Sequence, residues 1–150
     1  MNYVLDTNII LVYIKDKATQ AYIDQAFGPF KSENTPIISA VTVGELRALA
    51  LKNNWGNRRI KIIEKLLHEL VVIDIRFEDL FTAYAEIDAF SQNKHPDRPA
   101  TFTARNMGKN DLWIAATTHV TSSKLLTMDK DFEHLHGEFF EVIIIEQPSQ

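Results

Sequence analysis

Short apolar segments with strand-forming side chains alternate with segments of helical periodicity along the whole sequence. The strand-like segments are Tyr3–Leu5, Pro36–Ala40, Val71–Ile75, Lys124–Met128 and Val142–Glu146. The helical patterns are Ile9–Ile14, Ala18–Phe27, Thr42–Leu51, Asn57–Leu70, Phe77–Phe90 and Asn110–Val120, with a single turn at Phe132–Leu135. Alternation of this kind is typical of a parallel sheet with helices packed on both of its faces. We therefore expect an α/β/α sandwich whose central, mainly parallel sheet has about four to five strands.

The size and composition favour one globular domain spanning residues 1–150. The chain has 150 residues, of which 45% are hydrophobic, and it has no cysteine. The lack of cysteine excludes disulfides, thiolate zinc sites and cysteine nucleophiles, and it suits a reducing compartment. The longest apolar run, Ile9–Ile14, is far too short to span a bilayer. We expect a soluble, cytoplasmic protein without a membrane anchor.

Acidic residues follow two of the predicted strands. Asp6 comes directly after the first strand, and Asp129 comes after the strand Lys124–Met128. Parallel strands joined by right-handed crossovers end at one edge of the sheet, which is where open α/β sheets bind ligands. Glu45 lies one turn into the helix after the second strand, and Asp111 lies at a helix start behind the long loop Lys94–Gly108. We expect Asp6, Asp129 and Glu45 to converge, and Asp111 to join them although topology alone places it less securely.

The formal net charge of -4 does not exclude a polyanionic substrate. If Asp6, Glu45, Asp111, Asp129 and Asp131 form one metal-binding cluster, setting aside their five charges changes -4 to +1. Bound cations would neutralise such a cluster in the same way.

Each acid also has a purely structural interpretation. Thr42 and Glu45 have the spacing of a capping box, in which Glu45 would only bind a backbone N–H at its own helix start. Asp111 would complement a helix dipole, and Asp131 would cap the turn containing Phe132. Asp6 or Asp129 taken singly would be a solvated turn residue. The joint occurrence of these acids favours a functional cluster.

Four motifs occur in an order and spacing that resemble those of a known family. They are Asp6–Ile9, Thr42–Leu46, Asn110–Thr117 and Leu126–Phe132. In this order they resemble the PIN-domain nucleases, and the chain looks like a VapC-type toxin of that family over nearly its whole length. The resemblance implies an acidic pocket that binds Mg²⁺ or Mn²⁺, endonucleolytic cutting of RNA, inhibition by a small cognate antitoxin, and a homodimer.

The resemblance also assigns roles to residues of this sequence. Asp6, Glu45, Asp111 and Asp129 match the catalytic acids, and Asp131 is an additional candidate ligand. We expect Asp6 and Asp129 to bind metal directly, Asp111 to bind a second metal or a bridging water, and Glu45 to orient a metal-bound water or act as general base. Asn8 and Thr127 would form hydrogen bonds to the metal ligands.

Basic residues in the long loop are candidates for substrate binding. Arg98, Arg105 and Lys109 lie on the approach to Asp111, where an RNA backbone would pass. Loops of this length in compact domains are often functional or disordered. These three residues are therefore predicted to contact phosphates.

Two other functions fit a doubly wound fold. A phosphatase or phosphoryl-transfer domain would need an aspartyl nucleophile, commonly with a second acid two positions on, but Asn8 stands there. A catalytically silent RNA-binding domain would not need the intact set of acids. An assay on RNA with and without a divalent ion separates these hypotheses from a nuclease.

Overall fold

The computed structural model describes residues 1–147, which form a parallel five-stranded sheet between helical layers. The strands are β1 (Asn2–Leu5), β2 (Thr35–Ser39), β3 (Val71–Ile73), β4 (Lys124–Thr127) and β5 (Val142–Ile144). The helices are α1 (Thr7–Lys15), α2 (Lys17–Ala26), α3 (Ala40–Lys52), α4 (Asn57–Glu69), α5 (Glu78–Ser91) and α6 (Lys109–Val120). A 3₁₀ turn spans Lys130–Leu135 between the last two strands. This architecture confirms the predicted α/β fold.

The strand order is β3-β2-β1-β4-β5, and all four strand pairs are parallel. The chain therefore moves outwards from β1 in one direction, through β2 to β3, and then returns to place β4 on the other side of β1. A ligand site in an open α/β sheet lies at such a reversal, beyond the carboxyl ends of the two strands concerned. Asp6 follows β1 and Asp129 follows β4, so both stand at this point.

Two apolar cores cover the two faces of the sheet. Val4 and Leu125 face the layer that contains α5, α6 and the 3₁₀ turn. Leu5, Ile38 and Leu126 face the layer that contains α1 to α4. Successive residues of a strand point to opposite faces, which explains why the strands are apolar without interruption.

Polar residues at strand ends cap the elements that follow. Asp6 caps α1 by accepting a hydrogen bond from the Thr7 N–H, and Ser39 caps α3 by accepting one from the Val41 N–H. Asp129 caps the 3₁₀ turn in the same way. Side-chain oxygens at these positions satisfy N–H groups that have no partner within the helix. After β1 and β2 the strand, the cap and the helix follow one another directly, and after β4 one residue, Met128, precedes the cap.

Several predicted boundaries need correction. The helix predicted from Thr42 begins at Ala40, because Ser39 rather than Thr42 supplies the cap. The third and fifth strands end at Ile73 and Ile144 instead of Ile75 and Glu146. Asp74 ends β3 early, since its carboxylate accepts a hydrogen bond from the Arg76 N–H and forms a tight turn. The predicted domain 1–150 includes residues 148–150, which lie outside the described part of the chain.

Candidate active site

Asp6 is the most buried acid at the carboxyl edge of the sheet, with only 5% of its surface exposed. Its Oδ1 accepts a hydrogen bond of 2.7 Å from the Thr7 N–H, and its Oδ2 accepts one of 2.7 Å from the Thr127 hydroxyl. Burial raises the pKa of Asp6, and the charges of Glu45 and Asp129 raise it further, although the two hydrogen bonds oppose this change. Hydrogen bonds therefore fix the Asp6 carboxylate in place, whereas burial and the neighbouring acids make its negative charge unfavourable.

Asn8 and Thr127 connect the first acid to the end of β4. The Asn8 amide donates to Asp6 Oδ2 at 3.3 Å, and its Oδ1 accepts from the Met128 N–H at 3.1 Å. The Thr127 hydroxyl also accepts a hydrogen bond of 3.0 Å from the Asp129 N–H. Both residues thus lie where the sequence places them, beside Asp6, and they hold the segments that carry Asp6 and Asp129 against each other.

Glu45 reaches the site from the second turn of α3. Its Oε1 accepts a hydrogen bond of 2.9 Å from the Thr7 hydroxyl, so it contacts a residue directly next to Asp6. The capping-box interpretation of Thr42 and Glu45 is wrong, because Ser39 caps this helix and the Thr42 side chain is fully buried. The Glu45 carboxylate therefore points to the first residue of α1 and not to its own helix start.

Asp129 and Asp131 occupy the first turn after β4. Asp129 Oδ1 accepts a hydrogen bond of 2.8 Å from the Asp131 N–H, which makes Asp129 the cap of the 3₁₀ turn. The cap proposed for Asp131 is therefore supplied by Asp129 instead. Asp131 is exposed and its charge reaches Asp111.

Asp111 completes the cluster from the first turn of α6. It is half-buried, and burial together with the charges of Asp6, Asp129, Glu45 and Asp131 raises the pKa of Asp111 to about 7. Its carboxylate accepts no hydrogen bond from the side chains or backbone of residues 1–147. The structure thus brings the five predicted acids to one edge of the sheet.

The cluster has the chemistry of a hard-cation site, although its carboxylates are not arranged as a finished one. Within residues 1–147, no three His, Asp or Glu side chains lie close enough together to hold one ion. Thr7 and Thr127 instead hold Glu45 and Asp6 by hydrogen bonds. The donors are oxygens only, as Mg²⁺ and Mn²⁺ prefer, and Mg²⁺ commonly reaches its carboxylates through retained water. Burial and the charges of neighbouring acids raise the pKa of Asp111, and burial raises that of Asp6, so a bound cation would offset an unfavourable concentration of negative charge. The donor set therefore fits such an ion.

The three predicted substrate-binding residues have different surroundings. Arg98 donates to Glu138 at 2.9 Å and lies over the ring of Phe139, so its charge is already engaged. Arg105 donates to the Lys130 carbonyl and lines, with Asp131, a cavity of about 460 Å³. Lys109 is exposed at the start of α6, two residues before Asp111. The cluster is thus flanked by Arg105 and Lys109, whereas the contacts of Arg98 favour a structural role.

Sequence reasoning missed Thr7 and Thr42 as parts of the site. The sequence patterns give Thr7 no role in the site, yet its hydroxyl donates a hydrogen bond to Glu45. Thr42 lies at 3.3 Å from the Thr7 hydroxyl. Both are buried hydroxyl residues in first turns of helices that follow strands, where apolar residues would be expected. A hydroxyl residue in the first turn of a helix that follows a strand was therefore the sequence feature that could have identified Thr7 and Thr42.

The fold and the acidic edge together define a PIN domain. The PIN domain family model matches residues 3–138, and the chain belongs to this family. Among individual proteins, the chain is 27% identical to Ribonuclease VapC2 of Haemophilus influenzae over 151 aligned positions, which cover 97% of this chain and 95% of that protein.

Solved structures share this architecture. VapBC2 from Rickettsia felis, bound to a DNA fragment from their promoter, superposes with a TM-score of 0.77 at 23% identity, covering 97% of this chain and 100% of that chain. VapBC-5 from Mycobacterium tuberculosis, a member of the VapBC family of toxin-antitoxin systems, superposes with a TM-score of 0.61 at 21% identity, covering 96% and 98%. These similarities show a common fold. None of the helices within residues 1–147 combines the length and apolar character that crossing a membrane requires.

Proposed function

We propose that this protein is a Mg²⁺- or Mn²⁺-dependent endoribonuclease and the toxin component of a VapBC-like toxin–antitoxin system. The observation that carries this proposal is the convergence of acids from four separate chain segments at the reversal point of the sheet. The similarity to Ribonuclease VapC2 supports RNA as the substrate. The reaction adds a water oxygen to phosphorus and breaks one P–O bond of the RNA backbone.

The four acids of the proposal have distinct surroundings, which suggest distinct roles. Asp6 and Asp129 would hold the ion, Asp6 because it is fixed by three hydrogen-bond donors and Asp129 because its Oδ2 accepts no bond from residues 1–147. Asp111 would contact a second ion or a bridging water. Glu45 would accept the proton of the attacking water through Oε2, since Thr7 occupies Oε1. Asp131 would serve as an additional ligand near Asp111.

Cation binding accounts for a carboxylate cluster in a nuclease. When held by these acids, Mg²⁺ or Mn²⁺ would lower the pKa of a bound water and offset the charge of the phosphate. Asn8 and Thr127 fix the position of the Asp6 carboxylate by hydrogen bonds. Arg105 and Lys109 would attract the phosphates next to the scissile one. The negative net charge of the chain is thereby compatible with an RNA substrate.

We also propose two protein partners. The similarity to VapBC-5 supports a small cognate antitoxin that inhibits cleavage. Co-expression with the product of an adjacent small reading frame should give a complex that does not cleave RNA until the antitoxin is removed.

The homodimer is supported by an exposed apolar patch at the start of α5, where Phe77 and Phe81 are 56% and 45% exposed and Phe81 packs edge-on against Trp113. We propose that the protein acts in the cytoplasm, where RNA and the antitoxin are made.

The phosphatase alternative is disfavoured by the residue two positions after Asp6. A phosphatase with an aspartyl nucleophile commonly has a second acid there. Asn8 stands at that position and donates a hydrogen bond to Asp6 Oδ2, and an amide cannot act as an acid.

Cleavage of a labelled single-stranded RNA by the purified protein tests the proposal. We expect products with Mg²⁺ or Mn²⁺, none with EDTA, and none from Asp6→Asn, in which the amide keeps the size of the acid. Glu64→Gln is a matched control, because Glu64 is exposed on α4 and outside the cluster. Cleavage that persists in EDTA, or equal cleavage by Asp6→Asn, would contradict the mechanism. Hydrolysis of a phosphomonoester without RNA cleavage would support the phosphatase instead.

A further inference from the structure

Thr7 contacts two of the acids of the cluster, Asp6 at the end of β1 and Glu45 in the second turn of α3. Its backbone N–H donates to Asp6 Oδ1 at 2.7 Å, and its hydroxyl donates to Glu45 Oε1 at 2.9 Å. Thr7 is the first residue of α1 and is 7% exposed. One buried residue therefore links two carboxylates that are 39 positions apart in the chain.

The hydroxyl proton of Thr7 has two acceptors within reach. Thr42 Oγ1 lies at 3.3 Å and Glu45 Oε1 at 2.9 Å, but a hydroxyl has only one hydrogen. The shorter bond to a charged oxygen is the stronger one, so the proton lies towards Glu45. Thr42, whose side chain is fully buried, is the second and more distant acceptor of the same hydroxyl. Thr7 therefore donates mainly to Glu45, with Thr42 beside it.

The hydrogen bond from Thr7 decides which oxygen of Glu45 is available. Glu45 has three rotatable bonds and, on α3, no other hydrogen-bond donor from residues 1–147 restrains it. The hydrogen bond at Oε1 restrains the carboxylate and leaves Oε2 without a donor from residues 1–147. A side chain that must meet a water molecule works best when its own orientation is fixed by neighbouring hydrogen bonds.

We infer that Thr7 is a positioning residue that, with Thr42 behind it, orients Glu45 for the reaction of this site. The inference rests on the proposed nuclease function, since it needs Glu45 to act there. Thr7 itself does not touch the reacting atoms. Its hydroxyl matters only while Glu45 is present, and that dependence separates positioning from simple support of the fold.

The kinetic test combines Thr7→Val, Thr7→Ser and Glu45→Ala. Valine keeps the shape of threonine and loses the hydroxyl, so we expect kcat to fall about 10- to 100-fold with an unchanged KM for RNA. Serine keeps the hydroxyl and should restore most of the activity. In the Glu45→Ala background, Thr7→Val should cause no further loss. Equal losses in both backgrounds, or a serine variant as impaired as the valine variant, would overturn the inference.

Thr19→Val is a matched control. Thr19 is fully buried and, like Thr7, donates its hydroxyl to a carboxylate, that of Asp16 at 2.7 Å. Removal of this hydroxyl should lower stability without changing kcat. A similar loss of kcat in Thr19→Val would show that any buried threonine matters, and this would count against a specific role for Thr7.

A measurement without RNA separates this inference from the proposed function. The denaturation midpoint should fall more on Thr7→Val when Glu45 is present than in the Glu45→Ala background, because only the former loses a bond to a charged group. Equal falls would overturn the link between Thr7 and Glu45 even if RNA is cleaved. If the wild-type protein cleaves no RNA, the proposed function fails, while the midpoints still decide whether Thr7 restrains Glu45.

Discussion

The charge of Asp111 should make the protein less stable above neutral pH when divalent ions are removed. Burial and the charges of Asp6, Asp129, Glu45 and Asp131 raise the pKa of Asp111 from 3.8 to about 7. Folding therefore favours the protonated carboxyl. Below pH 3.8 the group is protonated in both the folded and the unfolded chain and costs nothing. The penalty grows as the pH rises from about 4 to about 7, and above that it is complete.

The size of the penalty follows from the difference between the two pKa values. A difference of about 3 pH units corresponds to about 4 kcal/mol at about 1.36 kcal/mol per unit. Asp111 is only half-buried, so solvent screens the interaction and we expect about 1 to 2 kcal/mol. Asparagine removes this penalty but also loses the favourable interaction of an acid with the first turn of α6, roughly 0.5 kcal/mol. Asp111→Asn should therefore be about 1 kcal/mol more stable than the wild type at pH 8.

Urea denaturation in EDTA at pH 4, 6 and 8 measures this effect. The advantage of Asp111→Asn should be close to zero at pH 4, intermediate at pH 6 and largest at pH 8. Glu64→Gln on the outer surface of α4 is the control and should show no such trend. Mn²⁺ at about 100 times its dissociation constant should stabilise the wild type by about 2.7 kcal/mol and the variant by less. A variant that is less stable than the wild type at pH 8, or a difference that does not depend on pH, would refute the electrostatic argument.

Three further predictions concern the ends of the site and the outer surface. Asp129→Asn should keep the cap of the 3₁₀ turn and lose RNA cleavage, whereas Asp129→Ala should also cost about 1 kcal/mol in urea denaturation. Loss of a phosphate contact in Arg105→Ala or in Lys109→Ala should raise KM and reduce the salt dependence of RNA binding by about one ion. Arg98→Ala should instead lower Tm with an unchanged KM, because Glu138 and Phe139 already engage its guanidinium. Phe81→Asp should convert a dimer to a monomer in light scattering, and a dimer that persists would place the interface elsewhere.

The positions of Asp6 and Asp129 could be predicted because they depend only on parallel strands. Asp6 directly follows β1 and Asp129 lies two residues beyond β4, and parallel strands place such residues at one edge. Asp111 could not be placed with the same certainty, since a long loop precedes its helix. In the structure that loop is tied back by a 2.7 Å hydrogen bond from the Arg105 N–H to the Ser91 carbonyl. Such a long-range contact has no periodic signal in the sequence.

The start of α3 shows why local patterns failed where tertiary contacts decide. The capping-box spacing of Thr42 and Glu45 is real, but Ser39 stands three residues earlier at the end of β2 and takes the cap. The Thr42 hydroxyl and the Glu45 carboxylate are then free to meet Thr7 across the gap between two helices. Packing of α1 against α3 therefore overrides a pattern that is worth about 1 kcal/mol within one helix.

The structural and functional interpretations of the acids at strand ends do not exclude each other. Asp6 and Asp129 each use Oδ1 to accept a backbone N–H and so cap the next element, while Oδ2 faces Thr127 or remains available to the site. An alanine substitution removes both roles at once, and a loss of cleavage would then be confounded with a loss of the cap. Asparagine keeps an oxygen for the cap and removes the charge. For Asp6 and Asp129, the ratio of activity lost to stability lost should therefore be larger in the asparagine variant than in the alanine variant. Equal ratios would show that each acid serves only as a helix cap.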